Sequence, residues 1–209
     1  MAAFFSNLRN VIIAGFVLAL IVLLIHWSET GGVVFDRIFW QFVIRWIHVL
    51  SGVMWIGLLW YFNFVSTPTT PKIPEDLRPA LGKYITPAAL FWFRWAAMST
   101  IVFGIVLAIL NNYLKEAYTL DAWDAGGAFS EPRYVLIGIG MWLGTIMWFN
   151  VWFLIWPNQQ KALNIDNRYP ELTKDARGAA GKTAGMFSRI NTMLSIPMLL
   201  CMVGASHLA

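Results

Sequence analysis

The sequence predicts an all-α integral membrane protein, a bundle of five transmembrane helices with a cytoplasmic N-terminus and a periplasmic C-terminus. Three observations carry this. Of 209 residues, 58% are hydrophobic and 12% charged, more apolar surface than a water-soluble domain of this size can bury, so lipid must be the solvent. Five runs approach or exceed the roughly 20 apolar residues that a bilayer crossing needs. Lysines and arginines fall unevenly on alternate sides of those runs.

The runs follow in order. Asn10–Trp27 is almost wholly aliphatic; it lacks a small-x-small cleavage site, and HWSETGG leads directly into the next run, so a retained span is expected. Phe35–Phe64 is the second and Ala88–Asn111 the third. Arg133–Trp156 is the fourth and Gly185–Leu208 the fifth, giving one transmembrane domain over residues 1–209. Many of the 12 tryptophans lie near the ends of these runs, as in interfacial belts. Between the second and third runs, Ser66–Pro87 holds five prolines and predicts a stiff, irregular loop. Asn112–Pro132 is acidic. Pro157–Ala184 is basic, with a short surface helix expected near Leu172–Lys182.

Orientation follows from the loops. Nine basic residues, from Arg9, Lys72–Lys83 and Lys161–Lys182, share one side, against Arg37, Lys115 and Arg133 on the other. The positive-inside rule places the richer side in the cytoplasm. The net charge of +4 is therefore a matter of topology and does not imply nucleic acid. Cys201 is the single cysteine, which excludes an intrachain disulfide, a CxxCH haem attachment and a thiolate cluster. There is no GxGxxG, P-loop, HExxH or GxSxG pattern.

All three histidines fall toward the predicted outer leaflet: His26 ends the first run, His48 lies in the outer half of the second, and His207 ends the fifth. Converging imidazoles from separate helices are what a metal or haem site requires. His48 stands 12 residues after Asp36, or about 18 Å along a helix. Arg45 lies one turn nearer the surface on the same face, with Gly52 and then Trp55 deeper. A b-type haem fits that stripe. His48 would bind iron, Gly52 would let the porphyrin approach the backbone, Arg45 would meet a propionate and Trp55 would complete the wall. His207 is the expected second ligand and His26 the lesser alternative, because a loop of about eight residues favours a tight hairpin between the first two spans. Plainer readings stand beside these: His48 bonded to a neighbouring helix, Arg45 snorkelling to the interface, His26 as an interfacial histidine.

Arg94 and Arg189 lie about one turn inside the cytoplasmic ends of the third and fifth runs, where anchoring at lipid phosphates is the first expectation. Arg189 and His207 share a helix face unless Pro197 rotates it. The methionines are spread over four runs and read as core filling. The tryptophans of MWLGTIMWFNVWFLIWPN read as packing and interface anchors before macrocycle stacking.

The segments RWIHVLSGVMWIGLLWYFNFV, ALFWFRWAAMSTIVFGIVL, GIGMWLGTIMWFNVWFLIWPNQQKAL and NTMLSIPMLLCMVGASHLA resemble the membrane domain of the bacterial membrane-bound urate oxidase family. The resemblance runs from about Trp40 to Ala209. In that family a c-type cytochrome domain typically follows on the outer side and receives electrons from urate oxidation. This sequence ends at Ala209 without CxxCH, so the expectation here is the membrane domain without that cytochrome.

Three functions are therefore expected, in order. The first is a b-haem electron-transfer subunit of the bacterial inner membrane, working with a c-type cytochrome or a larger respiratory or photosynthetic complex. The second is an oxidase component acting on urate or a related purine. The third is a non-redox accessory subunit of a membrane complex.

Overall fold

The computed structural model describes residues 2–122 and 129–208. Their regular structure is helical, with no strand among the described residues. Five helices are long and apolar enough to cross a membrane: α1 Leu8–Glu29, α2 Arg37–Lys72, α3 Arg78–Leu110, α4 Pro132–Leu163 and α5 Lys174–Gly204. The protein is thus an all-α, multi-pass membrane protein, as the hydropathy pattern predicts. The chain divides into two compact units, residues 1–40 and residues 41–209.

In the first unit, the Asn7 side chain caps α1 by accepting from the Arg9 N–H at 3.0 Å. At the other end the Thr30 N–H and hydroxyl both return to the His26 carbonyl. Phe39 meets Trp27 with ring centres 6.0 Å apart and Phe35 at 5.0 Å, so aromatic contacts close the loop between α1 and the start of α2.

In the second unit, neighbouring helices run antiparallel. Gln41, His48, Ser51 and Phe62 of α2 meet Leu110, Thr100, Ser99 and Phe93 of α3 in reverse order. Likewise Asn150 and Gly140 of α4 meet Asn191 and Cys201 of α5. The core is centred on Trp55, Leu59, Leu90, Phe93, Met147 and Val151, all buried. Lipid tails are as apolar as these side chains, so close packing and interhelical hydrogen bonds must supply the association. Small residues permit it: a Cβ at Gly140 would lie 3.0 Å from the Cβ of Cys201. Cys201 is accordingly a buried free thiol, as its apolar neighbours suggest.

The helices are longer than the apolar runs. The five prolines do not make Ser66–Pro87 an irregular loop. Helical turns occupy Thr67–Lys72 and Arg78–Ile85, leaving a short break around 73–77. Pro68, Pro71, Pro79 and Pro87 each sit in the first turn of a helical segment, where the missing N–H costs nothing. A wider turn makes this possible. π-helical segments Tyr61–Ser66, Leu81–Ile85 and Asn150–Ile155 end two residues before Pro68, Pro87 and Pro157. The proline ring excludes the ordinary i→i−4 bond, and the i→i−5 pattern lets the helix continue. Asn164, in the left-handed conformation at φ 47°, ends α4.

The expected surface helix near Leu172–Lys182 is instead the start of α5. Thr173 caps it by accepting from the Ala176 N–H, and no breaker separates Lys182 from Gly185. Between α3 and α4, a short helix Leu114–Tyr118 leads to Asp121, which is buried and accepts from the Ser130 hydroxyl (2.6 Å) and the Glu131 N–H (2.8 Å). That carboxylate fixes the entry to α4. Of the loop's other acidic residues, Glu116 lies in the short helix and Asp124 outside the described residues.

Candidate functional site

His48 faces α3. Its Nδ1 lies 2.8 Å from the Thr100 carbonyl oxygen. A carbonyl only accepts, so Nδ1 carries the proton and Nε2 keeps its lone pair. Thr100 turns its own hydroxyl back to the Ala96 carbonyl at 2.7 Å. The ring is also fixed sterically: a Cβ at Gly104 would stand 2.9 Å from His48 Cε1 and 3.1 Å from Nδ1. One turn deeper the Ser51 and Ser99 hydroxyls are 2.6 Å apart.

Gly52 also faces α3. A Cβ there would meet the Thr100 methyl at 3.9 Å, so its bare surface serves the approach of two helices. Trp55 is fully buried in the same stripe, and its indole N–H finds no partner among the described residues. The polar face of α2 is thus a seam with α3, in which the imidazole presents one committed and one uncommitted nitrogen.

Toward the end of the bundle lies a second polar layer. The Gln41 amide donates to the Leu110 carbonyl at 2.8 Å. Tyr113 stacks on Tyr134 with ring centres 6.3 Å apart and planes at 29°. Burial pushes the Tyr113 phenol above its ordinary pKa, and the guanidinium charges of Arg45 and Arg133 pull against that. Arg45 is exposed and forms no ion pair among the described residues. Two cations therefore stand near one phenol, a setting that favours anions.

His207 lies just past α5, exposed, its Nδ1 2.9 Å from the Val203 carbonyl oxygen. By the same logic its Nε2 is uncommitted. The Trp60 indole donates to the Ser195 hydroxyl at 2.9 Å and so ties α2 to α5. Counted from that bond, His48 lies 12 residues back along α2 and His207 12 residues on, three past the end of α5, so both lie toward the same end of the unit. Their neighbours differ: His48 rests on α3, while the end of α5 leans on α4, where Gly204 approaches Leu136. Among the described residues no cluster of three His, Cys, Asp or Glu side chains forms a metal site. His26 belongs to the first unit, where it is exposed.

Two features escaped sequence reasoning. The Arg94 guanidinium carbon sits 3.3 Å from the centre of the Trp156 ring and 5.8 Å from Trp152, and its Nε–H donates to the Leu90 carbonyl. Its charge is held by indole faces, which the lipid-anchor expectation did not foresee; the spacing FWFR against WFLIW was the available signal. Asn150 and Asn191, both buried, join α4 to α5: the Asn150 amide donates to Asn191 Oδ1 (2.8 Å) and the Asn191 amide to the Met147 carbonyl (2.9 Å). Single asparagines inside apolar runs were the sign.

These helices and their polar seams define a multi-pass helical membrane protein with an imidazole fixed in the tautomer that suits ligation. Residues 116–209 match the family described as urate oxidase N-terminal, so the chain carries a urate oxidase-like membrane signature over that stretch, in keeping with the resemblance in its sequence. The match takes in α4, α5, the asparagine pair and His207, and stops short of His48. No curated protein and no solved structure matches the chain.

Proposed function

We propose that the protein is a urate oxidase-related redox component of the bacterial inner membrane, holding a b-type haem at the His48 end of its bundle. One observation carries this reading: His48 donates its Nδ1 proton to the Thr100 carbonyl. A backbone carbonyl that holds the proximal nitrogen and leaves Nε2 free is the usual support for a metal-ligating histidine. The residues present fit the group at that position. Arg45 and Arg133 supply positive charge for propionates, and His207 offers a second uncommitted nitrogen toward the same end of the bundle. A bound haem would supply one-electron chemistry, with a potential set by axial ligands and nearby charge.

The chain's own residues then have defined tasks. Thr100 and Gly104 hold the imidazole, Arg45 offsets anionic charge, and the Trp55 stripe keeps water from the seam. The lysine and arginine asymmetry of the loops supports an outward-facing site, where a c-type cytochrome or a larger redox complex would be the partner.

The family match at residues 116–209 favours a second reading, in which urate or a related purine is oxidised by this same component. One experiment serves both. A reduced-minus-oxidised spectrum of the purified protein should show Soret and alpha bands, and their reduction on adding urate selects the second reading. A protein with no haem band after expression with haem supply would overturn both in favour of an accessory subunit.

A further inference from the structure

A groove of about 800 Å³ in the second unit lies along the basic end of α5, with Thr67 of α2 also in its lining. Its lining divides into two kinds. Lys182 and Arg189 are exposed cations; seven residues apart, they lie on one helix face about 10 Å apart along the axis. Met186, Ile190 and Met193 continue the same face toward mid-span, and the two methionines are 53% and 63% exposed. The groove owes its depth to missing side chains: a Cβ at Gly178 or Gly185 would meet nothing within 4 Å. No carboxylate lines it, and the ion pair among the described residues, Arg168 with Asp166, is elsewhere.

We infer that this groove seats an anionic phospholipid, its phosphate between Lys182 and Arg189 and an acyl chain along Met186, Ile190 and Met193. Charge complementarity selects the occupant. Two cations without a counter-charge at a membrane interface attract a phosphate, and basic pockets between helices are where anionic headgroups settle. The methionines exclude a free phosphate as the sole ligand, because they offer it nothing and an acyl chain fits their flexible apolar surface. A second copy of the chain is disfavoured, since a two-fold contact here would bring Lys182 and Arg189 against their own equivalents.

The test uses the full-length protein in detergent with added phosphatidylglycerol or phosphatidylcholine of identical acyl chains. Native mass spectrometry should retain phosphatidylglycerol at least 10-fold better, with a matching rise in thermal midpoint. Lys182→Gln with Arg189→Gln should abolish that preference, Arg189→Lys should keep most of it, and Lys161→Gln, outside the groove, should leave it unchanged. Equal retention of both lipids, or a double variant that still prefers phosphatidylglycerol, would overturn the proposal. So would competition by inorganic phosphate at millimolar concentration, which would point to a simple anion site. A dimer that Met186→Trp splits while lipid retention persists would make the face a contact between copies. If the double variant proves unstable, loss of the preference in Arg189→Gln alone, with an unchanged midpoint in phosphatidylcholine, decides the matter.

Discussion

Gly104 and His48 are fitted to each other: a Cβ at position 104 would intrude to 2.9 Å from the imidazole Cε1. Gly104→Ala should therefore displace the ring and break its bond to Thr100, at about 1–3 kcal/mol in stability. Thermal unfolding in detergent and the haem spectrum would both register it. Gly57→Ala, on α2 beyond His48 with nothing within 4 Å, should be neutral or stabilising. Equal effects from the two would mean that Gly104 does not hold the ring.

The three histidines separate cleanly. His48→Ala should abolish the haem bands. His207→Ala should abolish them or convert them to high spin, and His26→Ala should leave them nearly intact. Loss of the low-spin signal in His26→Ala but not in His207→Ala would assign the second ligand to α1.

Arg45→Gln should keep haem bound and lower its midpoint potential, because removing a cation disfavours the electron that reduction adds. A redox titration checks this. An unchanged potential would leave Arg45 as an interfacial anchor.

The buried asparagine pair predicts non-additive energetics. Asn150→Leu removes the donor to Asn191 Oδ1 and should cost about 1–3 kcal/mol, the usual penalty for orphaning a buried polar group. The double change to leucine should cost less than the sum of the single changes. A strictly additive cycle would show that the two amides do not depend on each other.

Tyr113 should titrate late. Its folded pKa is raised by burial, so the folded protein holds that proton above the pH at which an unfolded tyrosine releases it. This favours folding below pH ~10, and the advantage is lost as pH rises through the folded value. Absorbance of tyrosinate at alkaline pH should show a late component that Tyr113→Phe removes, and Arg45→Gln should delay it further. An unchanged titration in Tyr113→Phe would place the phenol in water.

Hydropathy located every span because the spans answer to one uniform solvent. Where a span ends answers to local chemistry, and there the pattern fell short. Prolines that look like breakers were absorbed into first turns, and the basic stretch near Leu172–Lys182 joined α5 because Thr173 caps it. The polar stripe of α2 was legible as a stripe; that α3 covers it depends on Thr100 and Gly104, small residues with no signature of their own. Arg94 looked bound for lipid because its indole partners lie some 60 residues away in another helix.

The π turns before Pro68, Pro87 and Pro157 all lie at the end of the second unit opposite His48. Each holds about one residue more than a regular turn needs. They act as slack joints, where a helix can gain or shed a residue's worth of rotation without breaking. Motion imposed on the bundle, by a partner or by a change in bilayer thickness, would be taken up at that compliant rim. At the opposite rim His48 and Thr100 both stand in regular α-helix, and their spacing would hold.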